Sequence, residues 1–209
     1  MRASRKCLGV PIGDIQPTRV GRASEYVMER TEILIGGLGG QGVILAGTVI
    51  GKAAAIFGGK HATLIQAFGP EARGSACSAQ VTIADEPIAY PYVRRPDVLV
   101  VLSGESYTRF GPSLKPGGQL LYEEDMVRVS ELPPGAVAHG IPATRFAEEL
   151  GRRLFLSMVM VGFVGGVTGL LPREAFEKAV ADSVPRGTQD LNLKAFKRGY
   201  EYGLQRLRA

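Results

Sequence analysis

Residues 33–42, ILIGGLGGQG, carry the clearest chemical signal in the chain. Gly37, Gly39 and Gly42 meet the G-x-G-x-x-G spacing, which lets a backbone turn sharply and approach a phosphate. Gly40 and Gln41 fill the remaining loop positions and set it apart from the common form. The apolar run before the loop reads as a strand, and residues 43–57 read as a helix whose N-terminal N–H groups would face an anion. A dinucleotide held in the dehydrogenase manner requires an acidic residue some 20 positions past the loop, to grip the ribose hydroxyls. The chain offers Lys60 and His61 there, and no Asp or Glu before Glu71. An NADP site could recruit Lys60 or Arg73, but no catalytic His with Asp or Lys follows at a recognisable spacing.

A second marker is Gly69-Pro70-Glu71-Ala72-Arg73-Gly74. Pro70 stiffens this loop, while Glu71 and Arg73 set opposite charges on a short arch. Two readings stand side by side. The charges satisfy each other in solvent, for half a kcal/mol or less (~0.5), or Arg73 is presented as a fork to a phosphate, a carboxylate or a neighbouring subunit. The remaining candidates are weaker. His61 and His139 are isolated, with no second ligand at metal spacing. Cys77 alternates with polar residues on the apolar side of a strand and reads as a small core residue. Ser103 follows a central strand but lacks the flanking glycines of a nucleophile elbow, so it reads as a loop residue or helix cap.

A chain of 209 residues with two cysteines, Cys7 and Cys77, has neither a disulfide framework nor the four thiolates of an iron–sulfur cluster. A reducing, cytoplasmic setting follows. Of the net charge of +5, residues 1–30 supply +3, from Arg2, Arg5, Lys6, Arg19, Arg22 and Arg30 against Asp14, Glu25 and Glu29. The body is nearly balanced and has no basic block interleaved with aromatics, which argues against nucleic acid. Residues 1–30 lack an apolar h-region and read as a flexible basic arm, leaving 31–209 as a single domain.

The elements that must position these loops alternate along the chain. Strands are expected at 32–36, 62–66, 76–84, 97–102, 119–122 and 136–139, separated by glycine and proline turns. Thr188 is a plausible cap for a last helix with Leu193, Phe196, Tyr200, Leu204 and Leu207 on one stripe. The expected fold is α/β, a Rossmann-like, mainly parallel sheet flanked by helices, with a helical C-terminal third. Residues 154–171 form an uncharged run of 18, at the threshold for spanning a bilayer. Four glycines and a lone flanking Arg pair favour a buried or interfacial helix instead. Together with residues 43–57, this run offers more apolar surface than one sheet obviously covers, which points to partners.

Taken together, residues 36–47 (GGLGGQGVILAG), 66–85 (QAFGPEARGSACSAQVTIAD), 95–103 (RPDVLVVLS) and 191–203 (LNLKAFKRGYEYG) resemble the gamma subunit of 2-oxoacid:ferredoxin oxidoreductases. The similarity spans roughly residues 31–205, and the GPEARG form looks most like the 2-oxoglutarate (succinyl-CoA-forming) branch. The pyruvate, branched-chain and indolepyruvate branches remain open. The resemblance implies a multi-subunit enzyme that oxidatively decarboxylates a 2-oxoacid, passes the acyl group to coenzyme A and reduces ferredoxin. It implies thiamine diphosphate, Mg and iron–sulfur clusters on alpha, beta and ferredoxin-type chains, with none bound by this chain alone. On this chain it leaves no catalytic residue, and it makes Gly37, Gly39, Gly40, Gln41, Gly42, Glu71 and Arg73 the candidate ligand contacts, near the coenzyme A or active-site entrance. Ser157 departs from the asparagine expected in this family, so a polar contact there is in question.

Overall fold

The computed structural model describes residues 30–69 and 74–208. The sequence-defined arm, except Arg30, and the segment holding Glu71 and Arg73 therefore lie outside the described residues. Arg30 is the first residue of strand β1 (Arg30–Leu38) rather than the last of an arm.

Six strands form one sheet: β1, β2 (His61–Phe68), β3 (Ala76–Ala84), β4 (Val98–Val101), β5 (Gln119–Glu123) and β6 (Val137–Ile141). Their spatial order is β2-β3-β1-β4-β5-β6. β1, β4, β5 and β6 run parallel, whereas β3 is antiparallel to both β1 and β2. The parallel sheet expected from the strand–helix alternation is thus joined by an antiparallel hairpin, β2–β3. The hairpin inserts β3 between β1 and the strand that follows the glycine loop.

Both faces of the sheet are covered. Ile33 and Ile35 of β1 point to one face with Val98, Val100 and Leu121, beneath helices α1 (Val43–Lys52), α3 (Ala143–Glu149), α4 (Leu156–Thr168), α5 (Arg173–Ser183) and α6 (Gln189–Arg206). Leu34, Leu99, Val101 and Leu120 point the other way, toward α2 (Gly104–Phe110) and long loops. Strand residues buried on both sides read as continuous apolar runs, as β4 does. In β3 the alternation gives one apolar and one polar face, and on the polar face Thr82 and Ser78 are themselves buried. That polar face meets a loop, not water. The single helix expected over 43–57 is α1 followed by a π-helical turn, Ala53–Phe57.

α4 is buried along almost its whole length, from Leu156 to Val167. No helix among the described residues is long and apolar enough to cross a membrane. Of the two apolar runs that suggested partners, α4 is covered from within the chain, whereas Ile56 and Leu154 stay exposed. α6 does the covering, with a face that overlaps the expected stripe in part: Phe196 is buried and Leu193 and Tyr200 pack against the core, but Ala195, Gly199 and Gly203 complete the face and Leu207 is exposed. The reason is backbone contact. A Cβ on Gly162 would lie 1.9 Å from the Phe196 carbonyl oxygen, and one on Gly199 would lie 1.9 Å from that of Val159. Gly166 approaches the Tyr200 carbonyl in the same way, at 2.3 Å. Small residues four apart on each helix let the two backbones cross closer than side chains would allow. Thr188 occupies the cap position, yet its hydroxyl donates to the Pro185 carbonyl instead of capping α6.

Gly199→Ala is expected to destabilise the chain by about 3 kcal/mol or more, because backbone, not a flexible side chain, must give way. Chemical denaturation of the variant measures this, and a loss below about 1 kcal/mol would show that the crossing tolerates a methyl group.

Candidate functional site

In parallel α/β sheets, ligands bind outside the C-terminal ends of the strands. Here that edge collects the loop after β1, Ser103 after β4, Glu123 at the end of β5 and the start of α3 after β6. The loop after β1 is tight. The Gln41 N–H donates to the Leu38 carbonyl at 3.1 Å, and Gly42 sits at φ 76°, a left-handed conformation that favours glycine. A side chain at Gly42 would also strike Ser157, whose Oγ would lie 2.6 Å from its Cβ. The first intrahelical bond runs from Ala46 N–H to the Gly42 carbonyl, and no side chain caps α1. The N–H groups of Val43, Ile44 and Leu45 therefore stand without intrahelical acceptors at the positive end of the helix dipole.

Gln41 has a different role from its neighbours. Its side-chain oxygen accepts from Leu38 N–H at 2.7 Å, and its amide donates to the Leu102 carbonyl at 2.9 Å. It staples the end of β1 to the end of β4. Gly37 leaves the room, since a Cβ there would lie 2.7 Å from the Gln41 oxygen. Gln41 and Gly37 thus shape the loop, while Gly39, Gly40 and Gly42 line the space beside it.

The two sequence markers meet at this point. Gly39 N–H donates to the Ser75 carbonyl at 2.8 Å, and Gly74 N–H donates back to the Gly39 carbonyl at 3.2 Å. The glycine loop is thereby pinned to the tip of the β2–β3 hairpin, the loop that carries Glu71 and Arg73. Between them opens a cleft of about 580 Å³ lined by Gly39, Gly40 and Gly42, by Val43, Ile44 and Leu45 of α1, and by Phe68, Gly69, Ser75, Cys77, Leu154 and Ser157. That volume is in the range of small-molecule sites. Its rim is apolar, with Phe68 68% and Leu154 72% exposed. One lining residue is an orphan: the Ser157 Oγ is buried and has no hydrogen-bond partner among the described residues. Burial pushes the Cys77 thiol up from its ordinary value, which keeps it in the unreactive thiol form.

The other candidates fall into place around this cleft. Ser103 caps α2, exchanging hydrogen bonds with Ser106 in a capping box, as a bland reading of the sequence suggests. His61 opens β2 and is exposed; His139 is half-buried in β6, and burial together with Arg206 lowers its pKa. Among the described residues no three His, Cys, Asp or Glu side chains gather to hold a metal. Glu123 went unnoticed in the sequence. It is fully buried, and Thr144 N–H reaches one of its oxygens at 3.4 Å while the other has no partner among the described residues. Burial, ahead of the nearby Asp125 charge, raises its carboxyl above the usual range. Ser157, where the family resemblance put a polar contact in question, lines this cleft, and Leu154 joins it without any local sequence signal, because tertiary packing delivers the start of α4 to the glycine loop.

The topology also removes the dehydrogenase geometry. In a dinucleotide site the strand after the glycine loop neighbours β1 and ends beside the ribose. Here β3 stands between them, and β2 ends in Gln66, Ala67 and Phe68 at the sheet edge.

Residues 32–202 match the pyruvate ferredoxin/flavodoxin oxidoreductase family. The chain belongs to this family. It is 45% identical over 177 residues to the 2-oxoglutarate synthase subunit KorC of Methanocaldococcus jannaschii, covering 84% of this chain and 95% of that one. A KorC of Methanothermobacter thermautotrophicus is 46% identical over 178 residues, covering 82% and 94%. The fold matches the gamma subunit of the keto/oxoacid ferredoxin oxidoreductase from Geobacter sulfurreducens with a TM-score of 0.75 at 38% identity, over 84% of this chain and 97% of that one. In this family member Ser157 lines the glycine-loop cleft, and its buried hydroxyl finds no partner among the described residues.

Replacing Gln41 by Ala leaves Leu38 N–H and the Leu102 carbonyl without their side-chain partner, and a loss of about 2 kcal/mol is expected. Urea denaturation of the isolated chain measures it; a midpoint unchanged from the parent would refute the staple.

Proposed function

We propose that this chain is the gamma subunit of a cytoplasmic 2-oxoacid:ferredoxin oxidoreductase whose substrate is 2-oxoglutarate. The enzyme would convert 2-oxoglutarate and coenzyme A to succinyl-CoA and carbon dioxide while reducing ferredoxin. The observation that carries this reading is near full-length similarity at 45–46% identity to two KorC subunits of 2-oxoglutarate synthase. With two cysteines in the whole chain, the iron–sulfur clusters belong to a ferredoxin-type chain, and thiamine diphosphate with Mg belongs to the alpha and beta chains.

This subunit contributes surface rather than chemistry. The glycine-loop cleft fits the anionic end of coenzyme A. Uncapped N–H groups at Val43, Ile44 and Leu45 suit a phosphate oxygen, and the buried Ser157 hydroxyl lacks the partner that a ligand would supply. Gly39, Gly40 and Gly42 let the ligand approach the backbone, and exposed Phe68 and Leu154 offer an apolar wall. Glu71 and Arg73, on the hairpin loop anchored to Gly39, are the charged contacts proposed for the same ligand.

Anaerobic purification of the tagged chain from its own host tests the assignment. Co-elution with thiamine-binding chains, and coenzyme A-dependent viologen reduction fastest with 2-oxoglutarate, is the expected result. Preference for another acid would correct only the substrate, whereas a solitary chain binding a dinucleotide would overturn the reading. In the assembled enzyme, Arg73→Ala is expected to raise KM for coenzyme A about tenfold, the cost of one charge-assisted contact. An unchanged KM removes Arg73 from the site.

A further inference from the structure

The end of the sheet opposite the glycine cleft holds a second organised feature. Residues 85–97 link β3 to β4 without forming a helix or strand. The buried polar face of β3 holds this loop in place. Gln80 accepts from Val93 N–H at 2.9 Å, and Thr82 Oγ1 donates to the Pro91 carbonyl at 3.4 Å. Arg30 donates to the Tyr90 carbonyl at 3.0 Å, and Val93 is buried in the second core. Asp97 exchanges hydrogen bonds with Glu32: its N–H donates to the Glu32 carbonyl at 2.8 Å, and its carboxylate accepts from Glu32 N–H at 2.7 Å.

This anchoring displays Tyr90, Tyr92 and Arg94. The two tyrosine rings lie 5.5 Å apart, are about half exposed, and wall a hollow of about 490 Å³ with Arg30, Glu32 and Arg94. Arg94 stacks 5.3 Å from the centre of the Tyr90 ring. The nearby carboxylates are mostly engaged: Glu32 pairs with Arg30 at 2.7 Å, Asp97 with Lys115 at 2.7 Å, and Asp85 with Lys60. Arg94 and Arg95 have no ion pair among the described residues, and Glu86 is the loop's one acid in the same position. Half-exposed tyrosines beside arginines without ion pairs are the residue types that anchor protein interfaces.

We propose that the 85–97 loop docks a carboxylate-bearing protein surface on a companion chain of the enzyme, with Tyr90 and Tyr92 as anchors and Arg94 and Arg95 pairing with its acidic side chains. The inference rests on the reading of this chain as one subunit of a larger enzyme. It places a protein contact at the end of the sheet remote from the ligand cleft, so docking and ligand binding use separate surfaces.

Hydroxyl-radical footprinting of the isolated full chain and of the purified complex tests it. Tyr90 and Tyr92 are expected to react in the isolated chain and to be protected about tenfold in the complex. The double variant Arg94→Glu, Arg95→Glu is expected to weaken capture of the thiamine-binding chains by about tenfold or more, with the thermal midpoint of the isolated chain unchanged. An active complex in which both tyrosines react as in the isolated chain overturns this inference and leaves the proposed function standing. Protection already present in the isolated chain and lost on removing residues 1–29, or protection that follows self-association, assigns another occupant and overturns it as well. Failure to recover any companion chain overturns both.

Discussion

The crossing of α4 over α6 at backbone distance is the constraint on which the rest of the C-terminal half depends. Apolar side chains alone would hold two helices some 8–10 Å apart. The glycines at 162, 166, 199 and 203 remove that spacer, and α6 then covers a helix that is apolar on nearly every side. Since contacts advance together along both helices, the pair runs in the same direction, with α5 as the return. A helix without a polar face must be enclosed, and here the enclosure is internal. Its consequence for function lies at the start of α4, which is pressed against the loop after β1 and sets Ser157 beside Gly42.

At that junction a short loop separates two tasks that share one glycine-rich sequence. Gln41 turns inward and ties together β1 and β4, satisfying two backbone groups at the strand ends. The backbone on the other side turns outward, and the first N–H groups of α1 stay without intrahelical acceptors. A rigid inner seam is what allows the outer surface to keep unsatisfied donors in a fixed direction. The hairpin β2–β3 completes the arrangement by bonding to Gly39 from the far side, which fixes the width of the cleft.

Much of this was legible in the residues. Alternating strand and helix signals located all six strands, and 76–84 matched β3 residue for residue. The glycine loop and the GPEARG marker were identified separately, and backbone hydrogen bonds join them. Other features depend on tertiary context. The order of strands is not written in local pattern, so β3's place beside β1 was hidden. The alternation in β3 correctly marked two faces, but a polar face can serve a packed loop as readily as solvent. The stripe on α6 was right at Leu193, Phe196 and Tyr200 but missed the small residues beside it, since large apolar residues draw the reading while Ala195, Gly199 and Gly203 complete the face in contact. The i, i+4 glycine pairs in both helices were the available signal. Ser157 was marked only as a departure from the family's asparagine, and Glu123 not at all: what sets both apart is burial of a polar atom with no partner among the described residues.

The central claim is that the glycine-loop cleft of this chain receives the anionic end of coenzyme A. A structure of the assembled enzyme with coenzyme A bound tests it most directly. A phosphate oxygen within hydrogen-bond reach of the N–H groups of Val43 to Leu45, with Ser157 Oγ partnered by the ligand, is the expected result. Coenzyme A held wholly by other chains, with this cleft filled by protein or left aside, would contradict it.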